Sequence, residues 1–217
     1  MKNFGLKNIL KQIALSLLAT TAGIGFSDTA LSGEDAKLSN DQPAELKCGN
    51  PGTERLSVLA FSVDGKFRAS ATKCGRFKLC RVADGTVRTF YHCFPTAAAF
   101  SADASTLATA GCDTTGVGTI NLRRASDGDL LQTFTNRVSG IQSLVFSPSG
   151  SSLVAAAPDG RINSWRIADG KEIWSVVADA KLVSLIFSPS GETVIVHCAD
   201  KTVKSFKASD GTVAPNL

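Results

Sequence analysis

The sequence predicts an all-β chain of four similar four-stranded antiparallel sheets, and three observations carry that prediction. An apolar run ends in Phe-Ser at Phe61, Phe100, Phe146 and Phe187, at steps of 39, 46 and 41 residues. An Asp-Gly pair ends at Gly85, Gly128, Gly170 and Gly211, at steps of 43, 42 and 41. Between these marks lie short apolar or alternating runs broken by Gly, Pro and Ser, and no useful amphipathic helical stretch follows residue 40. A period of about 40–45 residues made of short strands is that of a propeller blade.

The chain opens differently. Lys2, Lys7 and Lys11 precede an uncharged apolar stretch from Ile13 to Phe26, followed by small residues. A basic start, a short apolar centre and small residues describe a secretory signal peptide over 1–27, with cleavage after Ser27. The apolar stretch of 14 residues is short of the roughly 20 that a spanning helix needs. Residues 28–55 follow as a linker or N-terminal extension, and 56–217 hold the blades, at about 56–92, 93–136, 137–178 and 179–217. The expected location is the periplasm or the outside of a bacterial cell. Removing the three leader lysines from a net charge of +4 leaves +1. No basic stripe remains to track phosphates, so nucleic acid is not an expected partner. Nor is a membrane, once the leader is cleaved.

The third copy reads most clearly. Ile141 to Ser147 is an apolar run suited to an inner strand, and Pro148-Ser149-Gly150 turns the chain. Leu153 to Ala157 is a second, small apolar strand, and Pro158-Asp159-Gly160 turns it again. Arg161 to Ile167 alternates; Asp169-Gly170 then predicts a type I′ hairpin, with left-handed φ at both central residues. Lys171 to Val176 returns as an outer strand. The other third strands align as 76–81, 119–124 and 202–207. Phe77, Ile120, Ile162 and Val203 share one position in them, which is expected to point into the boundary between blades.

These residues resemble the WD-repeat β-propellers. The resemblance runs from Leu56 to about Leu217 and rests on Val-Phe-Ser-Pro-Ser-Gly (145–150), Ile-Phe-Ser-Pro-Ser-Gly (186–191), Leu-Ala-Thr-Ala-Gly (107–111) and Trp165. Arg166 replaces the Asp that follows that Trp in the family, and Cys80, Arg123 and Phe206 stand where the Trp would be. The Gly-His pair that opens a family repeat is absent. The family's buried Ser/Thr-His-Asp-Trp network is therefore incomplete, although Asp113, Asp159 and Asp200 occupy the turn that supplies its Asp. The resemblance implies a noncatalytic protein–protein interaction scaffold.

Four blades are few for this kind of ring, so an open arc or half of a larger ring is expected. An arc leaves one apolar face at each end, a patch of several hundred Å² that soluble monomers rarely tolerate. Two chains joined into an eight-bladed ring, an isologous dimer with twofold symmetry, would cover both faces. The segment Ala44 to Cys48 is a candidate strand for the last blade, whose own closing segment contains Pro215.

Six cysteines in an exported chain suggest disulfides. Cys74, Cys112 and Cys198 fall near turns between second and third strands, and Cys93 and Cys48 near connections into a blade. These five are the candidate disulfide cysteines, on one rim, with the pairing left open; Cys80 falls inside a strand as a core thiol. His92, Phe94, Arg137, the inserted Asp113, Thr114 and Thr115, and Trp174 form a candidate interaction face. Trp165 is expected in the core.

Catalytic motifs are missing: no Gly-x-Ser-x-Gly, no His-Glu-x-x-His and no phosphate-cradling loop followed by Lys. No catalytic, cofactor or metal residue is assigned, and no enzyme activity is expected. The alternative reading is an exported propeller enzyme or redox-accessory subunit that binds a small ligand or a cofactor-bearing partner.

Overall fold

The computed structural model describes residues 56–72, 75–112, 117–136 and 140–215. Four sheets follow one another along the chain, each a meander in which every strand pairs antiparallel with the next. Blade 1 holds β1 (Leu56–Phe61), β2 (Phe67–Thr72), β3 (Arg76–Arg81) and β4 (Val87–Tyr91). Blade 2 holds β5 (Cys93–Phe100), β6 (Thr106–Cys112), β7 (Gly118–Arg124) and β8 (Leu130–Asn136). Blade 3 holds β9 (Ser143–Phe146), β10 (Ser152–Ala156), β11 (Arg161–Arg166) and β12 (Glu172–Val177). Blade 4 holds β13 (Leu182–Phe187), β14 (Thr193–Cys198) and β15 (Val203–Lys207).

Blade 4 thus departs from the expected four strands. Among the described residues its outer strand is reduced to one bridge, Phe206 to Val213, and Ala214 N–H donates to Ser205 O at 2.8 Å. Pro215 follows at once, and a proline has no N–H to continue the ladder.

The Phe-Ser mark has a physical reason. Ser62, Ser101, Ser147 and Ser188 are all buried. Each hydroxyl accepts the backbone N–H five residues on, from Phe67, Thr106, Ser152 and Thr193, at 2.8–3.1 Å. One side chain closes the first turn of every blade, where the ladder between strands has ended.

The Asp-Gly turns are wider than a type I′ hairpin. Gly85, Gly128, Gly170 and Gly211 have φ of 69–79°, but their preceding aspartates are not left-handed. Each glycine N–H instead donates four residues back, to Arg81, Arg124, Arg166 or Lys207, at 2.8–3.0 Å. The aspartate carboxylate accepts the N–H two residues on, as Asp84 does from Thr86 at 2.9 Å and Asp210 from Thr212 at 2.9 Å. Arg81, Arg124 and Arg166 also pair with Asp84, Asp127 and Asp169 at 3.2, 2.7 and 3.1 Å. The loop has four residues rather than two, so only the last must be left-handed, and glycine takes that place without strain.

Three apolar layers join the blades, each built from the trailing face of one sheet and the leading face of the next. Ala69, Phe77, Leu79 and Phe90 meet Phe100, Leu107 and Ala125. Ala108, Ile120, Leu122 and Phe134 meet Phe146, Leu153 and Trp165. Val154, Ile162 and Trp174 meet Phe187, Val194, Val196 and Phe206. The innermost strands β1, β5, β9 and β13 pack on one another in that order, and among the described residues no comparable packing joins β13 to β1. The molecule is an open propeller arc.

Candidate interaction faces

The uncovered faces follow from the alternation of a strand. Phe61 pairs with Arg68, Phe100 with Leu107, Phe146 with Leu153 and Phe187 with Val194. These are one register position in four blades. Phe100, Phe146 and Phe187 are 6–7% exposed because a preceding blade covers them, whereas Phe61 is 44% exposed. Val82, which takes the place of the buried Ala125, is likewise exposed. The leading face of blade 1 also carries the half-buried Arg68 and Lys78 and the buried Ser70 where blade 3 has Leu153, Asn163 and Ala155.

The trailing face of blade 4 mirrors this. Phe77, Ile120 and Ile162 are fully buried, and Val203 at the same position is 52% exposed. Val203 pairs with His197, which is exposed in the place that Ala71, Ala110 and Ala156 hold in the other blades. Ile186 and Ile195, paired across β13 and β14, lie half-buried beside them.

His92 lies between β4 and β5, and its N–H donates to Gly75 O at 2.8 Å. Its side chain is buried rather than presented on a face. Nδ1 lies 3.2 Å from Thr109 Oγ1, and Nε2 lies 2.8 Å from Thr119 Oγ1. Thr109 Oγ1 donates onward to Asn121 O at 3.5 Å. The arrangement that satisfies all three has Nδ1–H donating to Thr109 and the Thr119 hydroxyl donating to Nε2. Burial, and secondarily the Arg123 guanidinium, push the imidazole down to about 4, so it is neutral near pH 7. Arg123 itself stacks on Phe90, with Cζ 4.2 Å from the ring centroid. This histidine fastens the connection between blades 1 and 2 to strands β6 and β7. The missing Gly before His92 concealed it in the sequence; its position just ahead of β5, with Thr109 in the second strand, was the available signal.

Trp174 is also interior. Its indole is buried, and Nε1 donates to Ala208 O in the last hairpin of blade 4 at 2.9 Å. The exposed face that His92 and Trp174 were expected to share is therefore not built from those two. Phe94 and Cys93 lie in β5, and Cys112 ends β6. Cys198 and Cys80 are buried and unbonded, so neither lines a rim as a reactive thiol. Asp113, Thr114, Thr115, Arg137, Cys48 and Cys74 lie outside the described residues, as do the leader and the Ala44–Cys48 segment. Trp165 is core, stacked on Phe134 with centroids 5.9 Å apart.

Two open grooves, of about 640 and 440 Å³, run along the turns of blades 3 and 4. The larger is lined by Ser147, Ser149, Ser151, Arg166 and Ser209. Its hydroxyls hydrogen-bond to one another, Ser149 to Ser151 at 2.8 Å, and Arg166 is held by Asp169. Nothing there pairs a nucleophile with a base. Among the described residues no three of His, Cys, Asp and Glu come together as metal ligands would.

Residues 128–166 match the protein-family model described as WD domain, G-beta repeat. Over that stretch the chain is similar to a WD repeat. The matched stretch starts at the Gly128 hairpin, takes in β8, and ends on β11 at Arg166. The matched stretch is thus offset by one strand from the blade, joining the outer strand of one sheet to three strands of the next. It therefore spans a boundary and carries residues from both halves of one packing layer, Phe134 on one side and Phe146, Leu153 and Trp165 on the other. No curated protein matches the chain closely enough to serve as a relative. WD repeats generally mediate protein–protein interactions and are typically noncatalytic, which suggests a protein-interaction scaffold.

Proposed function

We propose that the chain is a noncatalytic interaction scaffold of an exported compartment, that its recognition surfaces are the two uncovered blade faces, and that a second copy covers both. The carrying observation is the contrast at one register position, with Phe61 44% exposed and its three counterparts 6–7%. Val203 repeats that contrast at the other end. Every internal boundary joins a trailing face to a leading face. The arc offers one of each, so two arcs related by a twofold axis can satisfy both and close eight blades. Export is supported by the basic and apolar pattern of residues 1–27.

Light scattering on the mature chain at micromolar concentration tests this, together with the variants Phe61→Glu and Val203→Glu. The wild type should have the mass of two chains, and each variant, still folded by circular dichroism, should be monomeric. Mixing the two variants should restore dimers, because one of the two junctions then has both faces intact. A wild type that stays monomeric overturns the ring, as does a mass that neither charge alters. Cell fractionation with a tagged full chain tests the compartment: recovery of uncleaved protein from the cytoplasm would refute export.

A further inference from the structure

The ladder between β5 and β6 contains a feature that the interaction reading does not use. Its register sets Cys93 opposite Cys112. Directly opposed residues of an antiparallel pair have Cα atoms about 4.5 or 5.5 Å apart, according to the kind of rung. Both spacings fall within the roughly 4.4–6.8 Å that a disulfide bridges. We propose that Cys93 and Cys112 close a cross-strand disulfide at the head of blade 2.

The backbone at this place gives the bond a task. The next rung is Ala97 to Ala110, so Phe94, Pro95 and Thr96 oppose Gly111 alone. Three residues against one interrupt the ladder, and Pro95 has no N–H to offer it. The rung at Cys93 is thus cut off from the run between Ala97 and Phe100. A covalent link would hold the start of β5 to the end of β6 where hydrogen bonding is thinnest. Two other thiols are already placed elsewhere: Cys80 is buried in β3, and Cys198 is buried at the end of β14 in the layer between blades 3 and 4.

The chemistry requires a disulfide donor, either oxidised glutathione or a dithiol oxidoreductase in its disulfide form. One cysteine thiolate attacks a donor sulfur, forming a mixed disulfide and releasing the other donor sulfur as a thiol. The second thiolate then attacks the chain's own sulfur, forming the Cys93–Cys112 bond and releasing the second donor thiol. Two electrons and two protons pass from the cysteines to the donor. The pairing rests on strand register alone and is independent of the interaction reading.

Equilibrating the full chain with oxidised and reduced glutathione, alkylating free thiols and mapping unreduced peptides by mass tests the proposal. The expected result is one linked peptide pair joining Cys93 to Cys112, with Cys80 and Cys198 alkylated only after unfolding. Reduction should lower the thermal midpoint, and Cys112→Ser should leave Cys93 reactive and its midpoint insensitive to reductant. Cys93 or Cys112 recovered as a free thiol from the oxidised chain would overturn it, as would a bond from either to Cys74 or Cys48. The map of the wild type decides even if the variant does not fold.

Discussion

Trp174 donates its indole N–H to Ala208 O at 2.9 Å, so the outer strand of blade 3 is tied to the hairpin of blade 4. The same contact recurs in altered chemistry along the arc. Arg88, Gln132 and Trp174 pair with Leu79, Leu122 and Ser164, one register position in three blades. Each reaches the hairpin glycine of the next blade, at Gly128, Gly170 or Gly211. A Cβ on Gly211 would lie 2.8 Å from the indole, closer than atoms can pack. Blade 3 makes room for the large ring by reducing Leu to the fully buried Ser164 and Phe to Val176.

Trp174→Ala should therefore lower stability by about 3–5 kcal/mol, as for other large buried aromatics. Trp174→Phe removes the hydrogen bond but keeps most of the ring, and should cost about 1–3 kcal/mol by leaving Ala208 O unpaired. Urea unfolding followed by circular dichroism measures both. Equal losses in the two variants would mean that the N–H, and not the ring, holds the blades together.

The buried imidazole of His92 sets a pH dependence. Its folded value is depressed to about 4 from an ordinary 6.5, first by burial and then by Arg123. Between those values the unfolded chain binds a proton that the folded chain does not, so stability falls as pH falls. The loss starts near pH 6.5 and is complete near pH 4, amounting to about 3 kcal/mol. The hairpin carboxylates Asp84, Asp127, Asp169 and Asp210 are held below their ordinary 3.8. Their stabilisation disappears only at lower pH, in a separate window. Denaturant midpoints across pH 4–7 should show the slope in wild type and not in His92→Gln.

The turn serines give a third test. Ser101→Ala leaves the Thr106 N–H without its acceptor at the first turn of blade 2. Leaving this partly buried donor unpaired should cost about 1 kcal/mol. Ser101 also donates to Asp103 at 2.5 Å, and that bond is the main reason the Asp103 carboxyl lies below its ordinary range. Nuclear magnetic resonance of the Asp103 carboxyl in Ser101→Ala should show its pKa rising. An unchanged value would assign the shift to the Ser105 backbone N–H instead.

What the sequence disclosed was the part that each blade repeats for itself. Phe61, Phe100, Phe146 and Phe187 share a chemical reason, as do the four buried serines beside them, and such shared reasons appear as spacing. The strand order followed because each turn is closed by residues within six positions of one another. What stayed hidden depends on a neighbour 17 to 34 residues away. Trp174 reads as an exposed outer-strand residue until the hairpin of blade 4 covers it. His92 reads as a loop residue until Thr109 and Thr119 fold back to it. Asp-Gly fits both a two-residue loop and the end of a four-residue one, so the pair alone does not fix the hairpin type.

The two ends of the arc supply the last prediction. Ile162 and Val203 occupy one register position, yet the first is sealed within the apolar layer between blades 3 and 4 while the second faces outward. Ile162→Ala should cost about 2–5 kcal/mol whatever the protein concentration. Val203→Ala should cost less than about 0.5 kcal/mol in the isolated chain, where it removes little buried surface. In a closed ring Val203 is covered by the leading face of blade 1 of the second copy, so its cost should grow as concentration rises through the association range. Unfolding curves for both variants at several concentrations separate these cases. A Val203→Ala penalty that is large at every concentration would mean that the trailing face of blade 4 is already covered within one chain, which removes the reason for a second copy.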